Sequence, residues 1–424
     1  MSLRALLSGD LDFHGEDGAY ASHNWHAFPA KFPPQLPHKF IVGLTQPGDL
    51  VVDPMVGSGT TVVEAMLAGR RGIGYDIDPL ALRLCKAKTA PPSLAEASEA
   101  GYEVLDRAQT SLDSEGAVLS DDLARRFEPA EREFVDYWFA PHTQLELVAL
   151  IREIERFSPP ATRVFLEVLF SSVIITKSGG VSLARDLAHT RPHRADKSPR
   201  SALDEFRKRL ARDLRSLVSV PGGESPVAIC EGNAQALPLP DDAVDLIVTS
   251  PPYAANAIDY MRAHKFSLIW FGHPLKALSE LRQGYIGHDA VSSVALVELP
   301  VVAARVLAGL AKLDVKKARA LHRYYSEMTR SLCEMARVLK PGKAAVVVVG
   351  VSTMRGIDTR TAICLAEIGK QVGLHPVDIA VRRLDRDKRM MPARKNAEGV
   401  TSPIEERMHE EYVIGFVKPS IRLA

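Results

Sequence analysis

The sequence predicts an α/β fold with an open, mostly parallel sheet, helices on both faces and an antiparallel terminal strand. The first observation is the order strand, glycine turn, helix, strand within residues 49–78, which is typical of a right-handed βαβ unit. The second is that short apolar runs alternate with helical segments again towards the end of the chain. The strand candidates are residues 49–53, 71–78, 225–230, 243–249, 343–350, 377–384 and 411–417.

The segments before and after the first strand follow from proline and glycine. Residues 1–22 have the composition of an irregular, acidic opening. Residues 23–40 contain four prolines, which exclude a regular helix until about Leu36 and indicate a structured loop or lid. Residues 60–69, TTVVEAMLAG, have helical spacing and end in a glycine suited to a C-terminal cap.

The middle of the chain differs in character from both ends. From about residue 91 to residue 226 helical spacing replaces the strand pattern, so we interpret this stretch as a helical insertion. Helical material returns over residues 258–339, where Lys340-Pro341-Gly342 ends it, and a further helix is predicted near residues 360–372.

Composition limits the class of protein. The chain has 424 residues, of which 46% are hydrophobic and 25% charged, values that exclude collagen-like, coiled-coil and disordered classes. Its longest apolar run, Ala344–Val351, is too short to span a membrane, and residues 1–18 do not have the pattern of a secretory signal, so we do not expect export. Four separated cysteines without a CxxC pair favour a reducing, cytoplasmic setting. The net charge of +1 means that any nucleic-acid contact must come from local clusters.

A glycine turn, DPMVGSGTT at residues 53–61, follows the first strand. Gly57 and Gly59 allow a tight turn and close approach of a ligand to the backbone. The alternative is a βα turn that binds nothing. Asp76 ends the next strand, close to the spacing of roughly 20 residues at which an acid binds a ribose hydroxyl.

These acids favour a nucleoside cofactor without a pyrophosphate. Val62 stands where a dinucleotide-binding GxGxxG loop needs glycine, which disfavours a nicotinamide oxidoreductase. S-adenosylmethionine fits better, with Asp53 pairing with its ammonium group and Asp76, helped by Asp78, binding its ribose. The alternative role for Asp78, which precedes Pro79, is to cap the following helix.

The most specific signal is TSPPY at residues 249–253, directly after an apolar strand. Consecutive prolines stiffen the loop and leave the carbonyls around Ser250 and Pro251 free to accept hydrogen bonds. Two such acceptors can hold the hydrogens of a base amine and aim its lone pair at a methyl group. Tyr253 offers a ring for the base to stack on. The alternative is a turn with a packed tyrosine.

DPMVGSGTT followed by TSPPY resembles the SPPY-type amino-methyltransferases of DNA, which methylate N4 of cytosine or N6 of adenine. The resemblance implies a Rossmann-like methyltransferase fold, S-adenosylmethionine as cofactor, no metal, and double-stranded DNA with the target base flipped out as substrate. Serine as the first loop residue is the form associated with N4-cytosine enzymes. N6-adenine methylation, methylation of an RNA base amine, a non-catalytic nucleic-acid binding module and a cognate restriction endonuclease as partner stay open.

The resemblance also assigns residues. FPAKFPPQLP is similar to the family's segment over the methionine end of the cofactor, and Asn233 is expected near the adenine. The implied catalytic residues are Ser250, Pro251, Pro252 and Tyr253. The implied cofactor-binding residues are Lys31, Phe32, Pro33, Asp53, Pro54, Met55, Gly57, Gly59, Thr60, Thr61, Asp76 and Asn233.

We expect three parts. Residues 1–90 form the lid and the cofactor-binding half of the methyltransferase domain. Residues 91–225 form the helical insertion, a candidate target-recognition region. Residues 226–424 form the catalytic half, with a helical insert at about 273–320.

Two basic clusters are candidates for phosphate contact. Residues 185–215 contain ten Lys or Arg and five Asp or Glu, and residues 382–395 contain seven basic residues and two acids. A solvated basic helix is the alternative for the first cluster. The candidate DNA-binding residues are Arg185, Arg191, Arg194, Lys197, Arg200, Arg386, Lys388 and Arg389.

Aromatic and histidine residues near the motifs have weaker assignments. Residues that follow the catalytic loop are candidates for holding a flipped base, although positions in a helix or in the core are the alternative; these are Tyr260, Arg262, His264 and Trp270. The lid histidines are not at metal-ligand spacing, and we expect local hydrogen bonding from them; these are His23, His26 and His38.

Overall fold

The computed structural model describes residues 1–28, 31–176, 180–185, 198–221, 226–254, 259–288, 295–384 and 410–420. The strands in these ranges are β1 (Leu50–Asp53), β2 (Arg71–Asp76), β3 (Val227–Glu231), β4 (Val244–Thr249), β5 (Leu339–Gly350), β6 (Thr353–Met354), β7 (Ile357–Asp358), β8 (His375–Arg383) and β9 (Glu410–Val417). The helices are α1 (Leu3–Leu7), α2 (Gln35–Leu44), α3 (Thr60–Leu67), α4 (Pro79–Thr89), α5 (Leu94–Ser114), α6 (Gly116–Arg126), α7 (Pro129–Trp138), α8 (Pro141–Ile154), α9 (Pro160–Ile174), α10 (Ala202–Leu217), α11 (Tyr260–Leu268), α12 (Leu275–Gln283), α13 (Val301–Ala311), α14 (Val315–Val338) and α15 (Thr361–Gln371).

Seven strands form one sheet in the order β3-β2-β1-β4-β5-β9-β8. The first five are mutually parallel; Val52 of β1, for example, pairs with Ile73 of β2 on one side and Ile247 of β4 on the other. The terminal strand β9 runs antiparallel to both β5 and β8, and it lies inside the sheet rather than at its edge. The predicted fold class is therefore confirmed, and the strand order reverses between β1 and β4.

Both faces of the sheet are covered by helices, as buried parallel strands require. Alternate residues of the central strands enter two different cores. Val51, Leu246 and Val346 pack on one face with residues of α1 and α2. Val52 and Ile247 pack on the other face with residues of α13, α14 and α15. The runs of Val, Leu and Ile in β1 and β4 predicted buried strands. This prediction is confirmed, because both strands are buried at every position.

Helices α5 to α10 occupy the predicted insertion. Their apolar faces share one core with residues of α4 and α11, including Phe165, Phe206 and Trp270. Trp270 is completely buried there, so the core alternative holds for this residue. The helices thus pack onto the sheet domain rather than standing apart from it. No helix among the described residues is long and apolar enough to cross a membrane.

Three local features differ from the sequence interpretation. The opening of the chain contains helix α1, whose Leu3, Leu6 and Leu7 are buried, so its description as irregular was wrong. Strand β5 begins at Leu339, which pairs with Val244 before an irregularity in the ladder, so the strand starts earlier than the proline and glycine indicated. The short hairpin β6–β7 was not predicted.

The packing of the insertion can be tested at Gly101 of α5. A Cβ atom at this position would lie 2.5 Å from Cδ1 of the fully buried Leu210 of α10. We expect Gly101→Ala to lower the free energy of unfolding by about 1–2 kcal/mol in urea titrations, because overpacking outweighs the gain in helix propensity.

Gly309→Ala on α13 is the matched control. Among the described residues its Cβ would meet Ile357 Cδ1 alone, at 3.9 Å, so this variant is expected to be more stable than the unchanged chain by up to about 1 kcal/mol. Equal stabilisation by both substitutions would contradict the packing of α5 against α10.

Candidate active site

A cavity of about 910 Å³, including its open mouth, lies at the carboxyl ends of β1, β2 and β4. This is the crevice in which open α/β sheets bind ligands, because the strand order reverses there. The sequence-assigned residues that line it are Lys31, Phe32, Asp53, Pro54, Met55, Gly57, Thr60, Asp76, Asn233, Ser250 and Pro252. Residues from both halves of the sheet are therefore brought together in one space.

The glycine turn after β1 brings backbone to the cavity wall. Gly57 and Gly59 have φ angles of 48° and 83°, which lie in the left-handed region that glycine adopts without strain. A Cβ on Gly57 would lie 3.3 Å from the ring of Phe28, and one on Gly59 would lie 2.9 Å from Sγ of Cys85. The buried Lys88 of α4 donates to the carbonyl of Ser58 at 2.7 Å and fixes the turn from behind.

Asp53 and Asp76 are buried acids at the cavity. Oδ1 of Asp53 accepts from the Met55 amide at 3.1 Å. The two oxygens of Asp76 accept from the amides of Gly57 and Asp78, each at 2.9 Å. Burial raises the pKa of Asp53 to about 6, and burial followed by repulsion from Asp78 raises the pKa of Asp76 to about 7. Both groups therefore titrate near neutral pH, as functional carboxylates often do.

Asp78 also lines the cavity, but its carboxylate has other partners. Oδ1 accepts from the amides of Leu80 and Ala81 and caps α4, with Pro79 at the first helical position. Oδ2 lies 2.6 Å from Nδ1 of His264 and accepts from the hydroxyl of Tyr285 at 2.6 Å. The capping role weighed for Asp78 is therefore present in the structure, and its assistance to ribose binding stays a prediction.

The lid segment is anchored to α3 through one buried carboxylate. Glu64 is 1% exposed and accepts from Tyr20 at 2.8 Å, while His23 Nε2 and His38 Nδ1 lie 2.6 and 2.8 Å from its oxygens. Burial alone would raise the pKa of Glu64, but the hydrogen bonds from the two histidines outweigh it and lower that pKa. Lys31 Nζ donates to the carbonyl of His23 at 2.6 Å, so the anchor continues to the cavity wall.

In the part of the chain that the structure describes, none of the three lid histidine side chains makes the local hydrogen bond that was expected: His23 and His38 bond Glu64 of α3, because the lid packs on that helix, and the third bonds the insertion. His26 Nε2 lies 2.9 Å from Oγ of Ser171 on α9 of the insertion. Within the described residues, no group of three or more His, Cys, Asp or Glu is arranged to hold a metal ion.

The loop after β4 brings Ser250 and Pro252 to the cavity. Tyr253 is not among the lining residues. Its ring packs against Gly350 at the end of β5, and its hydroxyl donates to Oε1 of Glu411 on β9 at 2.7 Å. Burial, followed by the charge of Glu411, raises the pKa of Tyr253 well above its ordinary value. Stacking of a base on this ring stays a prediction.

Other assigned residues are not among those that line the cavity; these are Pro33, Gly59, Thr61 and Pro251. Thr61 Oγ1 donates to the carbonyl of Val248 at 3.2 Å and so ties α3 to β4. The individual roles given to the cofactor-binding and catalytic residues stay predictions.

Part of the lining escaped the sequence interpretation: the segment Gly284–Ile286 forms one stretch of the wall. Phe28, the first residue of the predicted lid motif FPAKFPPQLP, and Tyr260 also line the cavity and stack with ring centroids 5.3 Å apart, but neither was assigned a cofactor-binding role. Tyr260 was considered as a candidate for holding a flipped base, with a position in a helix or in the core as the alternative. It is the first residue of α11 and lies at the cavity wall. Nothing in the sequence around Tyr285 indicates a site, because its place depends on how the chain between α12 and α13 folds back.

Only two candidate DNA-binding residues fall within the described chain. Arg185 is exposed, and Arg200 has a side chain 75% exposed with an ion pair to Glu205 at 3.4 Å. The others lie outside the described residues; they are Arg191, Arg194, Lys197, Arg386, Lys388 and Arg389.

The cavity fits a nucleoside that carries an amino acid. The glycine turn lets the ligand approach the backbone, buried Asp53 and Asp76 offer acceptors at the ends of adjacent strands, and Asn233 stands at the end of the third. The fold and these features define the class: an S-adenosylmethionine-dependent methyltransferase of the Rossmann-like type.

Comparison with known proteins refines this class. Residues 13–87 match the family model described as DNA methylase, which covers N6 and N4 methyltransferases. The chain is similar to the type II methyltransferase M.MvaI of Kocuria varians, with 26% identity over 90% of this chain and 87% of the relative. It is also similar to M.BsoBI of Geobacillus stearothermophilus, with 25% identity over 62% of this chain and 55% of the relative.

Among solved structures, a SAM-dependent methyltransferase from Methanosarcina mazei aligns over 90% of this chain and 97% of its own, with 10% identity and a TM-score of 0.32. The family match and the full-length relative carry the conclusion. The chain is an amino-methyltransferase of the S-adenosylmethionine-dependent superfamily.

The raised pKa of Asp76 predicts pH-dependent binding of the ribose. Adenosine is a suitable probe because it has the ribose but no ammonium group. If only the ionised carboxylate accepts from the ribose, the affinity for adenosine should rise about tenfold between pH 6 and pH 8, since a pKa of about 7 leaves one molecule in about eleven competent at pH 6. Isothermal titration calorimetry measures this change.

Asp76→Asn is the control for this experiment. The variant should bind adenosine more weakly than the unchanged chain at pH 8 and with no pH dependence in this window. A pH dependence that persists in Asp76→Asn would assign the titration to another group, such as Asp53.

Proposed function

We propose that the chain transfers the methyl group of S-adenosylmethionine to N4 of cytosine in double-stranded DNA. The observation that supports this most is that Ser250 and Pro252, from the loop after β4, line the same cavity as Asp53 and Asp76. A methyl donor held by the acids would thus lie beside the acceptors of the loop. Serine at the first loop position favours cytosine over adenine through the resemblance described above.

The chemistry asks little of the protein beyond positioning. S-adenosylmethionine, when bound, would supply an electrophilic methyl carbon; attack by the lone pair of the base nitrogen would break the carbon–sulfur bond and leave a neutral thioether. The methylated nitrogen would then release one proton to solvent water. Carbonyl oxygens around Ser250 and Pro251 would accept hydrogen bonds from the amine, favour pyramidal nitrogen and orient its lone pair. The two prolines hold these acceptors in a fixed geometry.

The base must leave the duplex to reach this cavity, because an amine within the stack is inaccessible to the donor. The stacked pair Phe28 and Tyr260 at the cavity wall offers apolar surface for an extruded base.

The setting we propose is the cytoplasm, in line with four cysteines that form no disulfide. A restriction endonuclease that shares the recognition sequence is the partner we propose, by analogy with the type II relatives.

Methylation of adenine N6 is the second candidate, because the same loop chemistry serves either amine. Nucleoside mass spectrometry of genomic DNA from a methylation-free host that expresses the chain separates the two. We expect N4-methylcytosine; N6-methyladenine would keep the mechanism and change the base. If neither modified base appears while the purified chain binds S-adenosylmethionine, the proposed DNA substrate is wrong and structured RNA becomes the substrate to test.

Tyr253→Ala should reduce this methylation below detection, because it removes the ring on which we expect the base to stack. The affinity for S-adenosylmethionine should change little, because the ring lies outside the cavity lining. Tyr102→Ala, at an exposed tyrosine of α5, is the matched control and should methylate normally. Equal loss of methylation and of cofactor binding in Tyr253→Ala would count against the separate roles of the loop and the acids.

We also propose that Arg185 and Arg200 contact phosphates. Removing a phosphate contact weakens binding to all sequences and makes the dependence of log K on log salt less steep by about 0.9. Fluorescence anisotropy with a duplex oligonucleotide at several salt concentrations should give this change for Arg185→Ala and for Arg200→Ala.

Arg125→Ala is the matched control for Arg200, because both arginines have exposed side chains paired with a neighbouring acid. This variant should keep the salt dependence of the unchanged chain. If Arg200→Ala and Arg125→Ala behave alike, the first basic cluster is a solvated surface.

A further inference from the structure

Four residues from four different elements meet in one row across the sheet. Gly350 at the end of β5 pairs with Glu411 of β9, and Glu411 pairs with Arg382 of β8. Tyr253 reaches this row from the loop after β4, and its hydroxyl donates to Oε1 of Glu411 at 2.7 Å. The catalytic motif is thus hydrogen-bonded to a strand on the far side of β5.

Gly350 makes room for the tyrosine ring. A Cβ at this position would lie 2.6 Å from Cε2 and 2.8 Å from Cζ of Tyr253, closer than side chains approach one another. The glycine is therefore needed for steric reasons rather than for its backbone angles. Its presence fixes where the ring lies on the sheet.

The carboxylate of Glu411 has both oxygens engaged. Oε2 accepts from Nη1 of Arg382 at 2.5 Å, and Nε of Arg382 donates to the carbonyl of Leu11 at 3.0 Å. Glu411 is 7% exposed and Arg382 is 4% exposed. A buried carboxylate is tolerated only with such partners, and removal of one partner leaves an uncompensated charge.

The hydroxyl of Tyr253 can only donate to this carboxylate. Burial and the adjacent charge raise the pKa of Tyr253 well above its ordinary value, so the hydroxyl keeps its proton. Hydrogen bonds to an ionised acceptor are about twice as strong as neutral ones. The ion pair between Arg382 of β8 and Glu411 of β9 would join these two strands without a tyrosine. The additional hydrogen bond from Tyr253 to Glu411 therefore needs a separate explanation.

We propose that Glu411 is a positioning residue for methyl transfer: it holds the Tyr253 ring against Gly350 and thereby fixes the loop Ser250–Tyr253 relative to the cavity. Arg382 in turn holds Glu411. Because Pro251 and Pro252 stiffen the loop, fixing its tyrosine also fixes the acceptors two and three residues earlier. Catalytic geometry tolerates errors of only about 0.5 Å, so this anchor should act on the rate. The inference rests on the proposed function.

A double-mutant cycle of Tyr253→Phe and Glu411→Gln tests this inference. The single-turnover rate of methyl transfer to DNA and the affinity for S-adenosylmethionine are measured separately. Each single variant should transfer methyl about tenfold more slowly than the unchanged chain. The double variant should be no slower than the slower of the two single variants, because both substitutions remove the same contact. Affinity for S-adenosylmethionine should stay within about twofold of that of the unchanged chain.

An additive cycle, with about hundredfold loss in the double variant, would mean that Glu411 does not act through Tyr253 and would overturn the inference. Loss of cofactor affinity in step with the rate would overturn it too. If the unchanged chain transfers no methyl group to DNA, the proposed function fails, and the inference fails with it; an additive cycle in an active chain rejects the inference alone.

Two further variants distinguish the loss of this contact from a loss of folding or of an acidic charge. Gly350→Ala removes no hydrogen bond but displaces the ring, so it should lower the rate with unchanged cofactor affinity; an unchanged rate would count against the proposal even if Glu411→Gln does not fold. Glu103→Gln, in the exposed pair with Arg107 on α5, is the control for removal of an acidic charge and should leave the rate unchanged.

Discussion

The adjacency of β1 and β4 is the constraint on which the site depends. In sequence the glycine turn and the catalytic loop are separated by the whole helical insertion, yet the parallel pairing of Val52 with Ile247 sets the ends of their strands side by side. The side chain of Thr61 then ties the first helix to β4 through the carbonyl of Val248. Any slip of this register would move Asp53 away from Ser250 and divide the cavity.

Such a scaffold explains why a large insertion is tolerated between the two motifs. The insertion begins after α4 and ends before β3, at the far edge of the sheet from β5. Its helices bury their apolar faces in a core shared with α4 and α11 instead of separating the strands. The ladder of β1 and β4 therefore forms although the whole insertion lies between these strands in sequence.

Local signals predicted most of the fold and about half of the cavity wall. Each of the motifs that were recognised is one continuous stretch of sequence, so its structure can be predicted without knowledge of distant residues. Examples are the buried strands LVVD and VDLIVT, the glycine turn and TSPPY. Tyr285 and Glu64 could not be assigned in this way, and Phe28 was recognised only as part of the lid motif FPAKFPPQLP. Tyr285 reaches the cavity through irregular chain, and Glu64 has the sequence context of an ordinary helix-surface acid until Tyr20 and His23 fold over it. The position of β9 inside the sheet likewise depends on pairing across distant segments.

Buried charge is concentrated at the points where separate segments must be held together. Glu64 joins the lid to α3, Asp78 joins α4 to α11 and to Tyr285, and Glu411 joins the catalytic loop to β8 and β9. Each carboxylate is costly to bury alone and is stabilised only when all of its partners are in place. Because a charge-assisted hydrogen bond depends on the distance between its partners, these three carboxylates fix the lid against α3, α4 against α11 and Tyr285, and the loop after β4 against β8 and β9.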